Sequence, residues 1–320
     1  MQVIRSLDAI PAALTRSVLA IGNFDGMHRG HKAIMEKIRE RARLLDAQSV
    51  AVTFDPHPVR VLRPGQPLRL ITPLPQRLDL LAQTGIDATV VIPFTEGFSH
   101  LSAFEFADRV LWRSLHAVEV HEGDNFRFGH GAHAGTAELE QLGKQLGFIV
   151  VAHSALTIRS IAVSSSQIRQ RIAAGDVSCA RVLLGRPFSI QSTQAPGRGI
   201  GTRLTVPTIN LARYDELAPA NGVYITRVRI GTGSTSEIFD AVTNAGNRPT
   251  FGEDSYAIES HLLDFHPVEM DAETPIELCF LARIRPERRF DSAEELKAQI
   301  LRDVSKARRY FHLADALSAV

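Results

Sequence analysis

The chain has 320 residues, of which 44% are hydrophobic and 22% are charged. At roughly 150 residues per domain, this length predicts about two domains, each with its own hydrophobic core. The 36 basic residues nearly balance the 35 acidic ones, and the parts of the chain before and after Arg181 are each close to neutral. A nucleic-acid-binding protein usually shows a basic field, and a membrane-surface protein a basic amphipathic face. The composition therefore favours small-molecule substrates over nucleic acid or membrane partners, and it leaves the oligomeric state open.

The cysteines and the N-terminal segment indicate a reducing compartment. Cys179 and Cys279 form no CxxC pair and no metal-ligand spacing, so we expect neither a disulfide framework nor a structural zinc site. The first eleven residues include Arg5 and Asp8 without a continuous apolar stretch, which argues against a signal peptide. No apolar run approaches the roughly 20 residues that span a bilayer. We therefore expect a soluble, cytoplasmic protein.

In the first half of the chain, short apolar runs alternate with amphipathic stretches of helical period. Strands are predicted at Ser17 to Ile21, Ser49 to Phe54, Ala88 to Phe94, Ala117 to Val120 and Phe148 to Ala152. Helices are predicted at Gly30 to Leu45, Ser102 to Leu115 and Thr136 to Leu146. This alternation is typical of βαβ units, which form a parallel sheet with helices on both faces. Ligands bind such α/β sheets beyond the carboxyl ends of the strands.

After Pro187, glycine and proline separate short runs that are rich in Val, Ile, Thr and Tyr. Strands are predicted at Gly222 to Ile230, Ile238 to Val242, Ala257 to Leu263 and Ile276 to Ala282. Such runs indicate an antiparallel β-barrel or sandwich. The change of pattern predicts a domain boundary near Leu184 to Pro187, which gives domains of residues 1–184 and 185–320.

A helix is predicted to close the chain. Ser292 and Glu295 have the spacing of a capping box at its start. Leu296, Ile300 and Val304 then recur at every fourth residue, which places them on one helix face. We expect this face to pack on the β-sheet of the second domain.

The strand at Ser17 to Ile21 leads directly into the decapeptide GNFDGMHRGH, after which helical periodicity begins. A helix N-terminus offers unpaired backbone N–H groups and the positive end of a dipole, and glycine lets a phosphate approach the backbone closely. His28 and His31 lie three residues apart, so both imidazoles can face one side of this turn. An anion is the expected ligand, whereas two surface histidines at a helix cap would be the structural alternative.

The decapeptide resembles the HxGH signature of the nucleotidyltransferase superfamily. In its longer form, GNFDGxHxGH, it is similar to the adenylyltransferase module of bacterial bifunctional riboflavin kinase/FAD synthetases. The resemblance implies a Rossmann-like nucleotidyltransferase fold for the first domain. It assigns nucleotide binding to Gly22, Asn23, Phe24, Gly26, His28 and His31. The two histidines are also the implied catalytic residues.

Two further segments resemble the flavin side of the same family's site. The segment TFDPHP follows a predicted strand, and its match implies that Phe54, Pro56 and Pro58 bind flavin. The glycine-bounded loop GDNFRFG, residues 123–129, resembles the family's GxxFxFG loop. This second match implies a nucleotide contact for Asn125 and a flavin contact for Phe128.

The segment SSSQIR, residues 164–169, resembles the family's SSTxIR motif, in which hydroxyls and an arginine hold the triphosphate. The match implies nucleotide binding by Ser164, Ser165, Ser166 and Arg169, with Ser166 where the family usually has threonine. The implied reaction is attack of the FMN phosphate on the α-phosphorus of ATP, which yields FAD and pyrophosphate. Alignment and charge neutralisation drive such a step, usually with Mg²⁺ on the triphosphate. On this hypothesis the two histidines and Arg169 supply positive charge.

The second domain carries a motif with a hydroxyl and an amide two residues apart. In an extended segment, Thr208 and Asn210 of VPTIN face the same side. The segment resembles the PTxN motif of riboflavin kinases, which implies that both residues bind Mg²⁺ and that Thr208 also contacts the nucleotide. Standing alone, it would read as a strand with two outward polar positions.

Three further segments resemble the same kinases, and with them the resemblance implies a β-barrel domain with a closing helix. They are NGVY at 221–224, NAGNRPTFG at 244–252 and IESHLLDF at 258–265. The last implies that Glu259 is the general base, which takes the proton of the riboflavin 5′-hydroxyl during attack on the γ-phosphorus of ATP.

The chain departs from the kinase pattern in three places. Ser192 lies near a position where glycine is usual, Thr205 and Val206 replace a Gly-Phe pair, and residues 271–274 lack the usual Tyr-Gly turn. Gly197, Gly199 and Gly201 still allow a flexible loop over phosphates. We expect an active kinase, and the departures are compatible with an altered flavin or nucleotide affinity.

The main hypothesis is therefore a bifunctional enzyme of FAD biosynthesis that converts riboflavin to FMN and FMN to FAD. ATP is the co-substrate of both steps, and Mg²⁺ is the expected metal. One alternative is an FAD synthetase whose second domain binds flavin without kinase turnover. Another is a flavin sensor or carrier without catalysis. A third is an HxGH nucleotidyltransferase acting on a pantetheine or lipid head group, which leaves the second domain without a role.

Overall fold

The computed structural model describes residues 1–195, 203–204, 207–247 and 256–318. The chain divides into two compact units, Met1–Ser165 and Ser166–Val320. The predicted assignment of residues 1–184 and 185–320 to two functional domains stays a prediction. Within the described parts of the chain, none of the helices combines the length and apolar character that a membrane crossing requires.

The first unit is an α/β structure. Its strands are β1 (Gln2–Ile4), β2 (Ser17–Ile21), β3 (Gln48–Asp55), β4 (Ala88–Pro93), β5 (Ala117–Gly123), β6 (Arg127–Phe128), β7 (Ala134–Gly135), β8 (Ile149–His153), β9 (Thr157–Ile158) and β10 (Ile161–Ala162). Its helices are α1 (Arg29–Leu44), α2 (Pro58–Leu62), α3 (Leu74–Ala82), α4 (Glu96–Ser99), α5 (Ala103–Glu105), which continues as a π-helix (Phe106–Ser114), and α6 (Thr136–Leu146). Short 3-10 turns lie at Leu7–Ala9 and His130–Ala132.

Six of these strands form one sheet in the order β1-β4-β3-β2-β5-β8. Every neighbouring pair in it is parallel, which confirms the predicted parallel α/β sheet. The direction of winding reverses between β2 and β5, so the carboxyl ends of these two strands flank a topological switch point. Ligands of such sheets bind there.

Side chains of β2 alternate between two hydrophobic cores. Leu19 points to one side of the sheet and packs in the core that includes Val110 of the π-helix. Val18 faces the other and packs in the core that includes Met35 of α1. Both faces are covered, which explains why β2 reads as a continuous apolar run rather than as an alternating one.

The second unit is mainly antiparallel β-structure. Its strands are β11 (Phe188–Ser192), β12 (Arg203–Leu204), β13 (Thr208–Asn210), β14 (Gly222–Ile230), β15 (Glu237–Asn247), β16 (Tyr256–Leu262), β17 (Val268–Glu269) and β18 (Ile276–Pro286), with a 3-10 turn at Gly233–Thr235. Its helices are α7 (Ser165–Ala173), which begins at the last residue of the first unit, α8 (Val177–Leu184) and α9 (Ala293–Ser318). The main sheet has the order β11-β18-β14-β15-β16-β13. All its neighbouring strands are antiparallel, which confirms the predicted β domain with a closing helix.

The predicted packing face of α9 is wrong for its first half. Leu296 and Ile300 are 41% and 45% exposed, although Val304 does pack on the sheet core beside Ala307 and Phe311. In this half a polar residue faces the sheet. Asp303 is buried, and its carboxylate accepts a hydrogen bond from Arg285 of β18. This ion pair turns the apolar spacing-four positions outward.

Candidate active sites

The strand-to-helix turn after β2 presents the paired histidines of the predicted nucleotide site. His28 is the N-cap of α1, and its Nδ1 accepts a hydrogen bond from the backbone N–H of His31 at 3.2 Å. The two imidazole rings stack with their centroids 3.5 Å apart. A Cβ atom on Gly30 would lie 3.2 Å from Cε1 and Nδ1 of His28. Glycine between the two histidines therefore leaves room for the stacked pair.

The loop that precedes the histidines has an unusual backbone. Phe24 and Met27 adopt φ values of 47° and 37°, and Gly26 adopts 86°. Such values are uncommon for non-glycine residues and carry a cost of order 1–3 kcal/mol each in strained sites. Neighbouring groups hold this conformation. Buried Asp25 accepts the N–H groups of Ile71 at 3.1 Å and Thr72 at 2.9 Å.

Both histidines are neutral at pH 7 in the protein without ligands. Burial lowers the pKa of His28 to about 4, although Asp25 opposes the shift. Burial also lowers the pKa of His31 well below its ordinary value, and His28 adds to this effect. The expectation that the pair supplies positive charge to bound phosphates stays a prediction. With no phosphate nearby the pair offers neutral imidazoles, and Nδ1 of His31 is enclosed without a hydrogen-bond partner among the described residues.

A cavity of about 330 Å³ lies between this loop and an aromatic wall, which is formed by Phe54, Phe94, Phe98, Phe106 and Phe128. Its volume lies at the lower end of the range for small-molecule sites, about 300–1,000 Å³. The cavity is lined by Gly22, Asn23, Phe54, Pro58, Leu62, Phe94, Phe98, Ser99, Leu101, Phe106, Asn125, Phe126, Arg127, Phe128, Gly129, Gly131 and Ala132. The structure thus brings together three of the four predicted flavin residues, while Pro56 is exposed and does not line the cavity.

The aromatic wall is larger than the sequence motifs indicated. The ring of Phe54 lies 5.6 Å from that of Phe94 and 6.1 Å from that of Phe98. Phe106 connects Phe98 to Phe128 through ring distances of 6.2 and 5.7 Å. Phe94 directly follows β4 and Phe98 lies on α4, so only the tertiary fold brings them close to the predicted residues. Aromatic faces of this kind suit a flat heterocycle.

Arg77 is a further residue that the sequence analysis missed. It lies on α3, is only 1% exposed, and donates from Nη1 to the carbonyl oxygen of Asn23 at 2.6 Å. Its Nη2 donates to the carbonyl oxygen of Phe54 at 3.2 Å. Burial lowers the pKa of its guanidinium, and Asp25 and Asp55 oppose this shift. The one available signal was an arginine within the apolar helical run LPQRLDLL.

The serine-rich segment divides between the two units. Ser164 and Ser165 belong to the first unit, where Oγ of Ser165 donates to the carbonyl oxygen of Asp25 in the nucleotide loop at 2.8 Å. Ser166 and Arg169 belong to the second unit, in the first turns of α7. The helix start predicted here is confirmed, and the triphosphate-binding role of these four residues stays a prediction.

The second candidate site lies on the outward face of the antiparallel sheet. Asn210 of β13 is directly opposite Glu259 of β16, and Asn244 of β15 is opposite Glu259 on its other side. Thr208 is likewise opposite His261. Side chains of directly opposed residues lie about 5 Å apart at Cβ. The structure therefore brings Thr208, Asn210 and Glu259 to one face and adds Asn244 and His261, to which the sequence analysis gave no role.

The inner face of the same strands is closed by packing. Ile209 and Ser260 are buried, whereas Glu259 is exposed. Hydroxyls of Thr226, Thr243 and Ser260 form a buried chain of hydrogen bonds of 2.6 and 2.8 Å across three strands. The predicted glycine loop with Gly197, Gly199 and Gly201, the departures at Thr205 and Val206, and residues 248–252 of NAGNRPTFG lie outside the described residues.

These two sites and their folds define a class of protein. A parallel α/β sheet with stacked histidines at a strand-to-helix turn is suited to nucleotidyl transfer, and the antiparallel sheet carries a polar face on which the Glu259 carboxylate lies between two amides. The chain has the features of a two-domain, nucleotide-dependent transferase.

Comparisons with known proteins specify the family. The FAD synthetase family model matches residues 10–167, and the riboflavin kinase family model matches residues 184–311. The bifunctional riboflavin kinase/FMN adenylyltransferase of Escherichia coli K12 is 33% identical over 98% of this chain and 99% of that protein. The protein of that name from Pseudomonas fluorescens is 36% identical over 96% of this chain and 97% of its own length. The chain belongs to the family of bifunctional riboflavin kinase/FMN adenylyltransferases.

A solved structure shares the fold over almost the whole chain. It is a crystal structure described as a macrolide-efflux protein from Streptococcus pneumoniae, with a TM-score of 0.82 and 25% sequence identity. The match covers 96% of this chain and 99% of that one. The similarity shows that the two chains share a fold.

Proposed function

We propose that the chain is an enzyme with two transferase activities, which phosphorylates riboflavin to FMN and adenylylates FMN to FAD with ATP as co-substrate of both steps. Residues 1–184 form the adenylyltransferase domain and residues 185–320 the kinase domain in this assignment. The single observation that carries the first activity is the cavity that Gly22 and Asn23 of the nucleotide loop share with the aromatic wall. One cavity thereby offers a surface for a phosphate-bearing group and a surface for a flat ring.

In the adenylylation step, a phosphate oxygen of FMN attacks the α-phosphorus of ATP. The new P–O bond forms as the bond to pyrophosphate breaks, and no covalent enzyme intermediate is required. His28 and His31 are the proposed catalytic residues, which donate hydrogen bonds to the phosphates from neutral rings. Because a nearby anion favours the charged imidazolium, arrival of the triphosphate raises the pKa of both histidines. This shift favours protonation of the rings as the substrate binds, and a protonated ring would balance phosphate charge.

The remaining residues of the first site have matching roles. We assign nucleotide binding to Gly22, Asn23, Phe24, Gly26, Asn125, Ser164, Ser165, Ser166 and Arg169, and flavin binding to Phe54, Pro58 and Phe128. Pro56, which is exposed outside the cavity, has less support as a flavin contact.

In the kinase step, Glu259 accepts the proton of the riboflavin 5′-hydroxyl as the oxygen attacks the γ-phosphorus of ATP. The flanking amides of Asn210 and Asn244 support this role, because they place hydrogen-bonding groups on both sides of the carboxylate. The products are FMN and ADP. No observation favours the alternative in which the second domain only binds flavin.

The residues of the second site suit Mg²⁺. Oxygen donors are what this hard cation prefers, and it commonly binds few protein ligands together with substrate phosphates. Thr208 and Asn210 would hold it beside the nucleotide, since both are half-buried and share one face of β13. When bound, Mg²⁺ neutralises phosphate charge.

Small-molecule substrates are the proposed partners, without a nucleic acid or membrane partner, and the cytoplasm is the proposed location. The near balance of 36 basic and 35 acidic residues supports the first point. Both cysteines are free thiols, which suits a reducing compartment.

The test separates the two activities within one chain. His28→Ala with His31→Ala should abolish FAD formation from FMN while FMN formation from riboflavin continues. Glu259→Gln should do the reverse. Because each variant retains one activity, that activity serves as the internal control for folding. Near-normal FAD formation by the histidine variant would overturn the assignment of the first site.

A further inference from the structure

A buried arginine joins the nucleotide loop to the aromatic wall of the first site. Nη1 and Nη2 of Arg77 donate hydrogen bonds to the backbone carbonyl oxygens of Asn23 and Phe54, at 2.6 and 3.2 Å. Asn23 lies in the loop between β2 and α1, and Phe54 is near the end of β3. Both residues line the cavity. Arg77 thus lies behind the two cavity walls and contacts the backbone of each.

The segment that leads into α3 holds the same loop at a second point. Ile71 and Thr72 donate their N–H groups to Asp25, and the hydroxyl of Thr72 accepts the N–H of Gly26 at 2.8 Å. These contacts reach only the nucleotide loop, whereas Arg77 reaches both walls. The positive φ values of Phe24 and Met27 show that the loop depends on such external contacts for its shape.

Stability alone is a poor reason for this arginine. A buried guanidinium carries a large desolvation penalty, and apolar residues often replace buried charges at no loss of stability. The hydrogen bonds of Arg77 go to main-chain carbonyls of two separate strand ends, so they fix backbone positions. A fork of planar donors can fix two oxygens at once, which a lysine ammonium does less well.

We propose that Arg77 is a positioning residue for adenylylation, which sets the spacing between the nucleotide loop and the aromatic wall. This inference rests on the FMN adenylyltransferase function proposed above. The FMN phosphate must meet the α-phosphorus of ATP in a near-attack geometry, and a misplacement of about 1 Å costs roughly 100-fold in rate. Arg77 touches neither substrate in this account. It acts through the backbone of Asn23 and Phe54.

The test compares Arg77→Lys with Arg39→Lys in the full-length chain with Mg²⁺, ATP and FMN. Arg39 is a matched control, because its Nη1 also donates to a backbone carbonyl, that of Thr84, at 2.9 Å in the same unit. For Arg77→Lys we expect kcat of FAD formation to fall by about 10- to 100-fold. Each half of the cavity remains, so the separate affinities for FMN, by flavin fluorescence, and for ATP, by calorimetry, should change less than about threefold. Arg39→Lys should match the wild type.

Riboflavin phosphorylation by the same preparations reports on the second site and should be equal in all three proteins. An unchanged kcat of FAD formation in Arg77→Lys would overturn the proposal while the wild-type activity still supports the proposed function. Loss of FMN and ATP binding together with a lower melting temperature would also overturn it, because Arg77 would then be a structural residue. A wild type that makes no FAD from FMN would instead contradict the proposed function itself.

Discussion

The burial of His28 predicts that the first unit is sensitive to acid, and His28→Asn is the substitution that isolates the effect. Asparagine is a preferred N-cap residue, so its side-chain oxygen can still accept the N–H of His31. The variant therefore keeps the helix cap but removes the titrating ring. The wild type and the variant should differ in how their free energy of unfolding depends on pH.

The magnitude follows from the pKa of His28, which is about 4 in the folded protein and 6.5 in the reference state. Between these pH values the unfolded state binds a proton that the folded state does not, so stability rises with pH. Each pKa unit corresponds to about 1.4 kcal/mol. The contribution of His28 is therefore about 3 kcal/mol, fully present above pH 6.5 and lost as the pH falls to 4.

The assay uses the single tryptophan of the chain, Trp112, which lies in the first unit and reports on its unfolding in urea. Measurements at steps between pH 7 and pH 4 should show the wild type losing about 3 kcal/mol more than His28→Asn. Parallel stability curves for the two proteins would refute the argument, because the ring would then be accessible to protons in the folded state.

Two further predictions concern packing. Gly30→Ala should keep or raise the melting temperature, because alanine favours a helix by up to about 1 kcal/mol over glycine. It should nevertheless lower kcat/KM of FAD formation several-fold, because the new Cβ, 3.2 Å from the His28 ring, disturbs the imidazole stack. Unchanged kinetics would contradict this prediction. Asp303→Leu should destabilise the second unit by about 3 kcal/mol, since it leaves the half-buried Arg285 without its carboxylate. The control Asp264→Ala, which breaks an exposed pair with Arg308, should change the unfolding midpoint little. The assay is unfolding in urea, with loss of kinase activity as the probe. Equal destabilisation by the two variants would count against the argument.

Hydrophobic periodicity predicted the strands and helices that build both sheets. The predicted strand Ser17 to Ile21 is identical to β2, and the predicted helix Thr136 to Leu146 is identical to α6. These elements bury an apolar run or face, so their signal is local in the sequence. Short elements such as β1 and α2 carry too few residues for a period to be read, and both were missed.

The errors and omissions arise where tertiary contacts override the local pattern. Leu296 and Ile300 have helical spacing, but the ion pair of buried Asp303 with half-buried Arg285 sets the rotation of α9 instead. Charged residues are rarely buried, so composition gave no reason to place Arg77 behind the cavity. Its role follows from the positions of two carbonyl oxygens that only the fold brings together.

The departure from the family turn at residues 271–274 has a local explanation. The carboxylate of Asp271 accepts the hydroxyl of Thr274 at 2.6 Å and the N–H of Glu273 at 3.0 Å. Side chains of Asp and Thr can thereby make a turn without glycine. The absence of the usual Tyr-Gly pair is therefore compatible with the strands on either side.

A time course with purified protein, riboflavin, ATP and Mg²⁺, resolved by chromatography and paired with a reaction started from FMN, measures both transferase activities in one experiment. From riboflavin, FMN should appear first and FAD second, and from FMN, FAD should form without delay. FAD from FMN alone would contradict the kinase assignment of Glu259, and no FAD from either flavin would contradict the assignment of His28 and His31.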